Sequence, residues 1–232
     1  MKVYAISDLH ISTNTDKPMD IFGGNWVNYL QKIREDWQNK VSCDDLVLIG
    51  GDISWAMNID DAKIDLDSIK DLNGKKILIK GNHDYWWSAI SKVRDVLPVD
   101  FYALQNDCVK FGNVIICGSR CWSVPGSPDF KQTDEKIYLR ETERLKLSFK
   151  MVEKIRQEND KVIALIHYPP FNVKREDTLF TKIFEENKVD AVVYGHLHGK
   201  NVRSDKLVIK NEIKYYLTSC DQVNNKLTEI EL

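Results

Sequence analysis

Short, nearly unbroken apolar runs rich in Val and Ile recur along this chain, at Lys2–Ile6, Asp45–Ile49, Lys76–Lys80, Val114–Cys117, Val162–Ile166 and Ala191–Tyr194. Strands covered on both faces have this pattern, because neither face can be polar. Between them, apolar residues at helical spacing predict helices near Trp26–Asn39, Ile59–Leu72, Trp86–Leu97, Ile137–Glu158 and Asp177–Asn187. The longest carries Leu139, Leu145, Phe149, Val152 and Ile155 roughly along one stripe. Beyond residue 200 the pattern shifts to Leu207–Ile209, Tyr215–Thr218 and Leu227–Ile230, which predict short strands in a meander. The alternation predicts an α/β chain with a second β-rich layer, organised as one domain over residues 1–232. There is no internal repeat, low-complexity tract or linker. The longest irregular stretch is Ser119–Thr133, with Pro125, Gly126 and Pro128, and loops of that length are commonly functional.

Composition narrows the partners. With 43% hydrophobic and 29% charged residues, the 232-residue chain can bury a substantial core. Its net charge is −2 with both signs interspersed, and no basic stripe is present to displace the counterions of a long nucleic acid. A small anionic substrate fits better. No apolar run approaches the ~20 residues of a membrane span. Met1–Ile6 runs straight into a strand rather than a leader segment, so a cytoplasmic location is the expectation. Cys43, Cys108, Cys117, Cys121 and Cys220 are odd in number and form no Cys-x-x-Cys pair, which predicts reduced, mostly buried thiols. The sequence sets no oligomeric state.

Candidate chemistry gathers around the histidines. All five lie in short motifs of metal-ligand residues: Asp8-Leu9-His10, Gly81-Asn82-His83-Asp84, His167-Tyr168-Pro169-Pro170 and Gly195-His196-Leu197-His198. Gly50-Gly51-Asp52 supplies a further carboxylate. Taken singly, each has a plain structural alternative. An Asp after a strand can cap a helix, a Gly-rich turn needs no ion, and a strand-end His is commonly just hydrogen-bonded. The two imidazoles of Gly-His-x-His, spaced to serve neighbouring ions, are the most specific of the set. What unites the motifs is position. Each follows an apolar run, and open α/β sheets bind ligands beyond the carboxyl ends of their strands. Five such ends would converge on one edge.

In this order the motifs resemble those of the calcineurin-like metallophosphoesterase superfamily, whose blocks run Asp-x-His, Gly-Asp, Gly-Asn-His, a single His and Gly-His-x-His. All are present between residues 8 and 198. The resemblance implies a four-layer αββα sandwich with two mixed β-sheets. It implies one ion held by Asp8, His10, Asp52 and His198, and a second held by Asp52, Asn82, His167 and His196. Oxygen and imidazole donors without thiolate suit manganese, iron or zinc, as two divalent or trivalent ions. Such ions, roughly 3.5–4 Å apart, clamp a phosphoryl group while a bridging hydroxide attacks phosphorus in line. His83 would be the histidine that is not a ligand, stabilising developing charge or protonating the leaving group. The implied activity is hydrolysis of a small phosphomonoester or phosphodiester.

The chain departs from the family at one telling place. Many members carry a second Asp three positions after the bridging one, paired with the non-ligand His; here that position is Trp55. Asp84 is the candidate substitute. The Asp-Arg-Gly continuation of protein serine/threonine phosphatases is absent, which weighs against a phosphoprotein substrate. Arg120, opening the irregular stretch, could fork onto a phosphate or form a surface salt bridge. Tyr85, Trp86, Trp87, Trp55 and Trp122 are either core or an apolar wall selecting a ring-bearing or acyl leaving group. The rival readings are a repair-type nuclease, which wants more basic surface, and a non-catalytic binding scaffold, which should have lost ligands that this chain retains.

Overall fold

The computed structural model describes residues 1–14, 17, 19–199, 202 and 204–232. Eleven strands and five α-helices alternate along them: β1 (Val3–Ile6), α1 (Tyr29–Lys40), β2 (Leu46–Ile49), α2 (Ile59–Asp67), β3 (Lys75–Ile79), α3 (Ile90–Val96), β4 (Phe101–Leu104), β5 (Asp107–Phe111), β6 (Val114–Gly118), α4 (Glu135–Ile155), β7 (Lys161–Leu165), α5 (Leu179–Glu186), β8 (Ala191–Tyr194), β9 (Leu207–Lys210), β10 (Ile213–Leu217) and β11 (Thr228–Glu229). One sheet has the order β11-β1-β2-β3-β4 and the other β5-β6-β7-β8-β10-β9. Both are mixed. The inner strands run parallel, while β11, β5 and β9 are antiparallel edges.

Three apolar layers hold four layers of structure together, as the resemblance implied. In β1, Val3 and Ala5 face the second sheet, meeting Ile163, Leu165, Ala191 and Val193. Tyr4 and Ile6 face the other way, onto Trp37 of α1 and Ala62 and Leu66 of α2. That two-residue alternation with both faces covered explains why the strand has no polar position. On the far side, Val162 and Ala164 pack with Leu145, Phe149 and Val152 of α4 and Phe180 and Phe184 of α5. Among the described residues, no helix is long and apolar enough to cross a membrane. Cys117, Cys121 and Cys220 are buried, and all five cysteines are free thiols.

Several boundaries differ from the sequence pattern, for identifiable reasons. The helix expected from Trp26 starts at Tyr29, because Asn28 takes a left-handed φ of 54° and two short 3-10 turns precede it. The helix expected from Trp86 starts at Ile90, since Trp86 and Trp87 sit in a turn that buries both indoles. The second helix stops at Asp67, five residues before Leu72, and continues only as turns. In α4 the buried stripe runs through Tyr138, Leu145, Phe149 and Val152, while Leu139 and Ile155 face solvent. The late strands are not a meander. β9 and β10 form a hairpin in the second sheet, whereas β11 crosses over to pair with β1. β4 and β5 lacked a clear pattern in the sequence: β4 is short, and β5 is a half-buried edge carrying Asp107 and Lys110.

Candidate metal centre

The sequence places Asp8, Asp52, Asn82, His167 and His196 two or three residues past the ends of β1, β2, β3, β7 and β8. The folded chain brings all five of these ends together. Asp8, His10, Asp52 and His196 reach their positions in the left-handed region, with φ of 58°, 45°, 51° and 70°. Non-glycine residues rarely adopt it, and where they do the surroundings must hold them there. Backbone bonds do so here. Asp8 N donates to Gly51 O (3.0 Å), His10 N to Asp52 O (2.9 Å) and Ile11 N to Ile53 O (2.9 Å), zipping the first two loops side by side. The motif glycines answer close approach: a Cβ at Gly81 would overlap the Asp52 carboxylate, and one at Gly195 would lie 2.6 Å from Asp8 Oδ2.

One compact group consists of Asp8, His10 and Asp52, with potential ligand atoms all within 4.8 Å of one another. A second surrounds the Asn82 side-chain oxygen, 2.8 Å from both His167 Nε2 and His196 Nδ1. Asp52 stands between them. Its Oδ2 is 3.9 Å from His10 Nε2 and 3.5 Å from His167 Nε2. Its Oδ1 accepts from the His83 backbone at 2.7 Å. His167 Nδ1 donates to Gly50 O at 2.8 Å, which fixes the tautomer and turns the Nε2 lone pair toward Asn82 and Asp52. His198 lies at the exposed rim, its ring edge-on to that of His10 with centroids 5.5 Å apart.

The electrostatics of this cluster call for a cation. His10 Nε2 and Asp52 Oδ2 are buried and lack any hydrogen-bond partner, a costly state for polar atoms. Burial, and then the charge of Asp52, pushes the Asp8 carboxyl up. Burial likewise raises Asp52. Burial and neighbouring imidazoles hold His10 well below its ordinary range, and His167 and His196 are pushed down to about 3, chiefly by burial. His167 and His196 therefore favour their neutral forms at neutral pH, lone pairs available, and burial favours the neutral form of His10 too. Carboxylates that resist ionisation and imidazoles that resist protonation are what a polyvalent cation would satisfy.

The remaining candidates are placed differently. His83 is half-buried at the edge of the cluster. The Trp55 ring stacks on His10 at 4.7 Å, nearly parallel, and lies 4.6 Å from the His83 ring. The Tyr85 hydroxyl reaches His83 Nδ1 at 3.5 Å. Asp84 does not orient the His83 imidazole, and that expectation is corrected. Its fully buried carboxylate accepts from Ile53 N, Ser54 N, Gly81 N and Trp86 Nε1 at 2.7–3.1 Å, joining the loops that carry Asp52 and Asn82. The aromatic set divides: Trp86 and Trp87 are core, Tyr85 is exposed, and Trp55 and Trp122 line the site's flanks. Arg120 is neither free nor a simple surface ion pair. Its guanidinium lies 4.7 Å over Trp122 and 3.8 Å from buried Glu141, while its carbonyl accepts from His167 N and Tyr168 N.

One contributor carried no recognisable signal in the sequence. The segment after β10 lies against the site: Cys220 N donates to Ser7 O, Cys220 Sγ to Asp8 O at 3.1 Å, and Asp221 accepts from Gly199 N at 2.7 Å. It too follows a strand end, but Ser219-Cys220-Asp221 matches no ligand pattern.

Comparison with known proteins agrees with the geometry. A family model described as calcineurin-like phosphoesterase matches residues 1–200. The chain belongs to that family. Two Helicobacter pylori proteins from different strains, each named uncharacterized metallophosphoesterase, are 24% identical over 213 residues, covering 90% of this chain and 48% of theirs. The chain thus spans about half the length of these relatives. The fold is shared with the phosphopantetheinyl hydrolase of Mycobacterium tuberculosis (TM-score 0.59, 13% identity, 99% of this chain and 95% of that one). A protein of unknown function from Aquifex aeolicus is similar too (TM-score 0.53, 16% identity, 98% and 95%). A metal-dependent phosphoester hydrolase is the class this family defines.

Proposed function

We propose that the chain is a dinuclear metal-dependent phosphoesterase acting on a small phosphomonoester or phosphodiester. The observation that carries this reading is the Asp52 carboxylate, partnerless at Oδ2 and set between two groups of donors. Asp8, His10, Asp52 and His198 would hold one ion. Asp52, Asn82, His167 and His196 would hold the other, with manganese, iron or zinc compatible. When bound, such a pair supplies Lewis-acid polarisation of the phosphoryl oxygens and an activated water at neutral pH. The protein's own groups do the rest. Asp8 and Asp52 balance the cationic charge, and the Gly50 carbonyl keeps His167 aimed. His83, which burial holds toward its neutral form, would stabilise the developing charge or protonate the leaving oxygen. Arg120, whose charge already acts on His167, draws the phosphoester anion inward.

Metal analysis, together with hydrolysis of p-nitrophenyl phosphate and bis-p-nitrophenyl phosphate with added manganese, tests this. Two ions per chain and turnover of either ester is the expected result. Metal-replete protein that turns over neither would leave a binding scaffold as the better account.

Two further outcomes are expected. His83→Gln should lower turnover by about 100-fold, the low end of the roughly 10²–10⁴ range of acid catalysis, because no carboxylate backs this imidazole. Its metal content should stay unchanged; loss of metal would make His83 a ligand. Acidification should release metal through the carboxylates and not the imidazoles. Asp8 and Asp52 have raised affinity for protons, whereas His167 and His196 stay neutral down to about 3. Apparent metal affinity should therefore fall as pH drops through the acid range while NMR still shows both imidazoles neutral. Imidazolium signals appearing ahead of metal release would refute this order.

A further inference from the structure

Four cationic side chains from three elements gather on one flank of the candidate metal centre. Lys80 directly follows β3 and stands two residues before Asn82. Arg120 lies just past β6, and its carbonyl accepts from His167 N and Tyr168 N at 3.2 Å. Arg140 and Arg144 come from successive turns of α4. One acid joins the three arginines. Glu141 is 1% exposed, and its Oε1 lies 2.7 Å from Arg144 Nη1, 3.5 Å from Arg140 Nη2 and 3.8 Å from Arg120 Nη2. The guanidinium groups themselves stay partly open to solvent above it.

One carboxylate neutralises one of these cations and leaves the group strongly positive. Two other acids on this flank are engaged elsewhere. Asp84 is turned inward onto four N–H donors. Asp134 accepts from Trp122 Nε1 at 3.2 Å and from Lys131 N at 2.8 Å. A salt bridge that only fastened α4 to the loop would need a single arginine. Gathering three, with Lys80 beside them, adds mutual repulsion that an anion would relieve. Each guanidinium is a planar fork of N–H donors matched to pairs of phosphate oxygens. Glu141 holds these forks from beneath and leaves their outer donors free to meet a ligand.

The patch is continuous with the centre. The Arg120 guanidinium lies 4.7 Å over the Trp122 ring, Trp122 is 4.9 Å from Tyr168, and Tyr168 is 4.2 Å from His196. This stack leads from the donors around Asn82 to the arginines. We propose that Arg120, Arg140 and Arg144, with Lys80 beside them, form a second anion site, and that the substrate carries a second phosphate besides the one presented to the metals. The inference rests on the phosphoesterase reading of the adjoining centre. Arg120 stands between the two phosphates, while Arg140 and Arg144 serve only the second and so set specificity without touching the reacting atoms.

The test uses phosphonates, whose P–C bond is not hydrolysed, so binding is read apart from turnover. Manganese-loaded protein is titrated calorimetrically with propane-1,3-diphosphonate and hexane-1,6-diphosphonate, each against its matched monophosphonate. Salt is held at about 0.15 M, where the Debye length is about 8 Å and diffuse attraction is screened. The better diphosphonate is expected to bind at least about tenfold more tightly than its monophosphonate. Arg144→Gln should remove most of that advantage and change monophosphonate binding by less than about twofold. Arg140→Gln, which leaves the 2.7 Å pair of Arg144 with Glu141 intact, should remove part of it even if the Arg144 variant fails to fold. Lys154→Gln, which deletes an exposed charge at the far end of α4, should leave it unchanged. No advantage for either diphosphonate, an advantage that survives both arginine substitutions, or an equal loss in Lys154→Gln would overturn the second site. So would an equal loss for mono- and diphosphonate, which would place the arginines on the phosphate at the metals. An arginine-dependent preference in metal-loaded protein that hydrolyses neither nitrophenyl ester would instead count against the phosphoesterase reading alone.

Discussion

Asp52→Asn should abolish metal-dependent hydrolysis while leaving the fold intact. The substitution keeps what the backbone needs, since Asn tolerates the left-handed φ of 51° and its Oδ1 can still accept from His83 N. What it removes is the negative charge at Oδ2, replaced by an amide that offers only donors to two imidazole groups 3.5 and 3.9 Å away. Loss of a hydrogen-bonding partner behind a ligand typically costs roughly 10–100-fold in metal affinity or activity. If Asp52 holds both of the proposed ions, removing that carboxylate oxygen should cost more than about 100-fold in turnover and leave metal weakly bound. The effect on the metal-free protein should have the opposite sign. Burial raises the Asp52 pKa above its ordinary 3.8, so its contribution to stability is present below that value and lost as pH rises through the folded one. At neutral pH the ionised carboxylate therefore burdens the stripped protein, and Asn does not carry that cost. Thermal melts at pH 7 should find stripped Asp52→Asn at least as stable as stripped wild type, and far less stabilised by added manganese. Full activity in this variant would end the dinuclear assignment. An unfolded variant would mean that Asp52 is chiefly structural.

The same opposition explains what could be read from the sequence and what could not. The candidate ligand residues are legible because strand ends and glycine turns are local features. Val3–Ile6 is apolar on both faces, so Asp8 must lie at a sheet edge, and Gly81 is where another loop's carboxylate passes. The outer helices were legible from their spacing, but their first turns were not. Whether Trp26 or Trp86 begins a helix depends on tertiary burial of the indole, which periodicity does not encode. β11 does not continue the β9–β10 hairpin as a meander, because edge pairing with β1 is a long-range choice between two sheets. Asp84 was the least legible of all. Its neighbour His83 suggested a pair within one motif, whereas its partners are Ile53 and Ser54 across the site, Gly81 behind it and the Trp86 indole. Four donors converging on one carboxylate is a property of the folded loops alone.

Asp84→Ala is for that reason expected to be the most destabilising of these substitutions. It would strand three buried backbone N–H groups and an indole N–H, each costing roughly 1–3 kcal/mol when left unpaired. Water entering the gap and relief of repulsion from Asp52 offset part of the sum, leaving a loss of about 3–5 kcal/mol. For a chain of this length that lowers the melting temperature by roughly 6–20 °C, at about 2–4 °C per kcal/mol. Asp84→Asn should lie between: its Oδ1 can still serve Ile53, Ser54 and Trp86, but its amide faces Gly81 N donor to donor. The pH dependence distinguishes this latch from a catalytic acid. Burial, and then the charge of Asp52, pushes Asp84 up to about 6. In the metal-free wild type its contribution is full below 3.8 and is lost as pH rises through about 6, a loss that neutral Asn does not share. The deficit of Asp84→Asn relative to wild type should accordingly narrow between about pH 4 and pH 7. In the metal-loaded protein, turnover per folded, metal-replete Asp84→Asn molecule should stay within about tenfold of wild type. A fall in turnover as large as that of His83→Gln, with stability unchanged, would show Asp84 acting on the chemistry and not on the loops that hold Asp52 and Asn82.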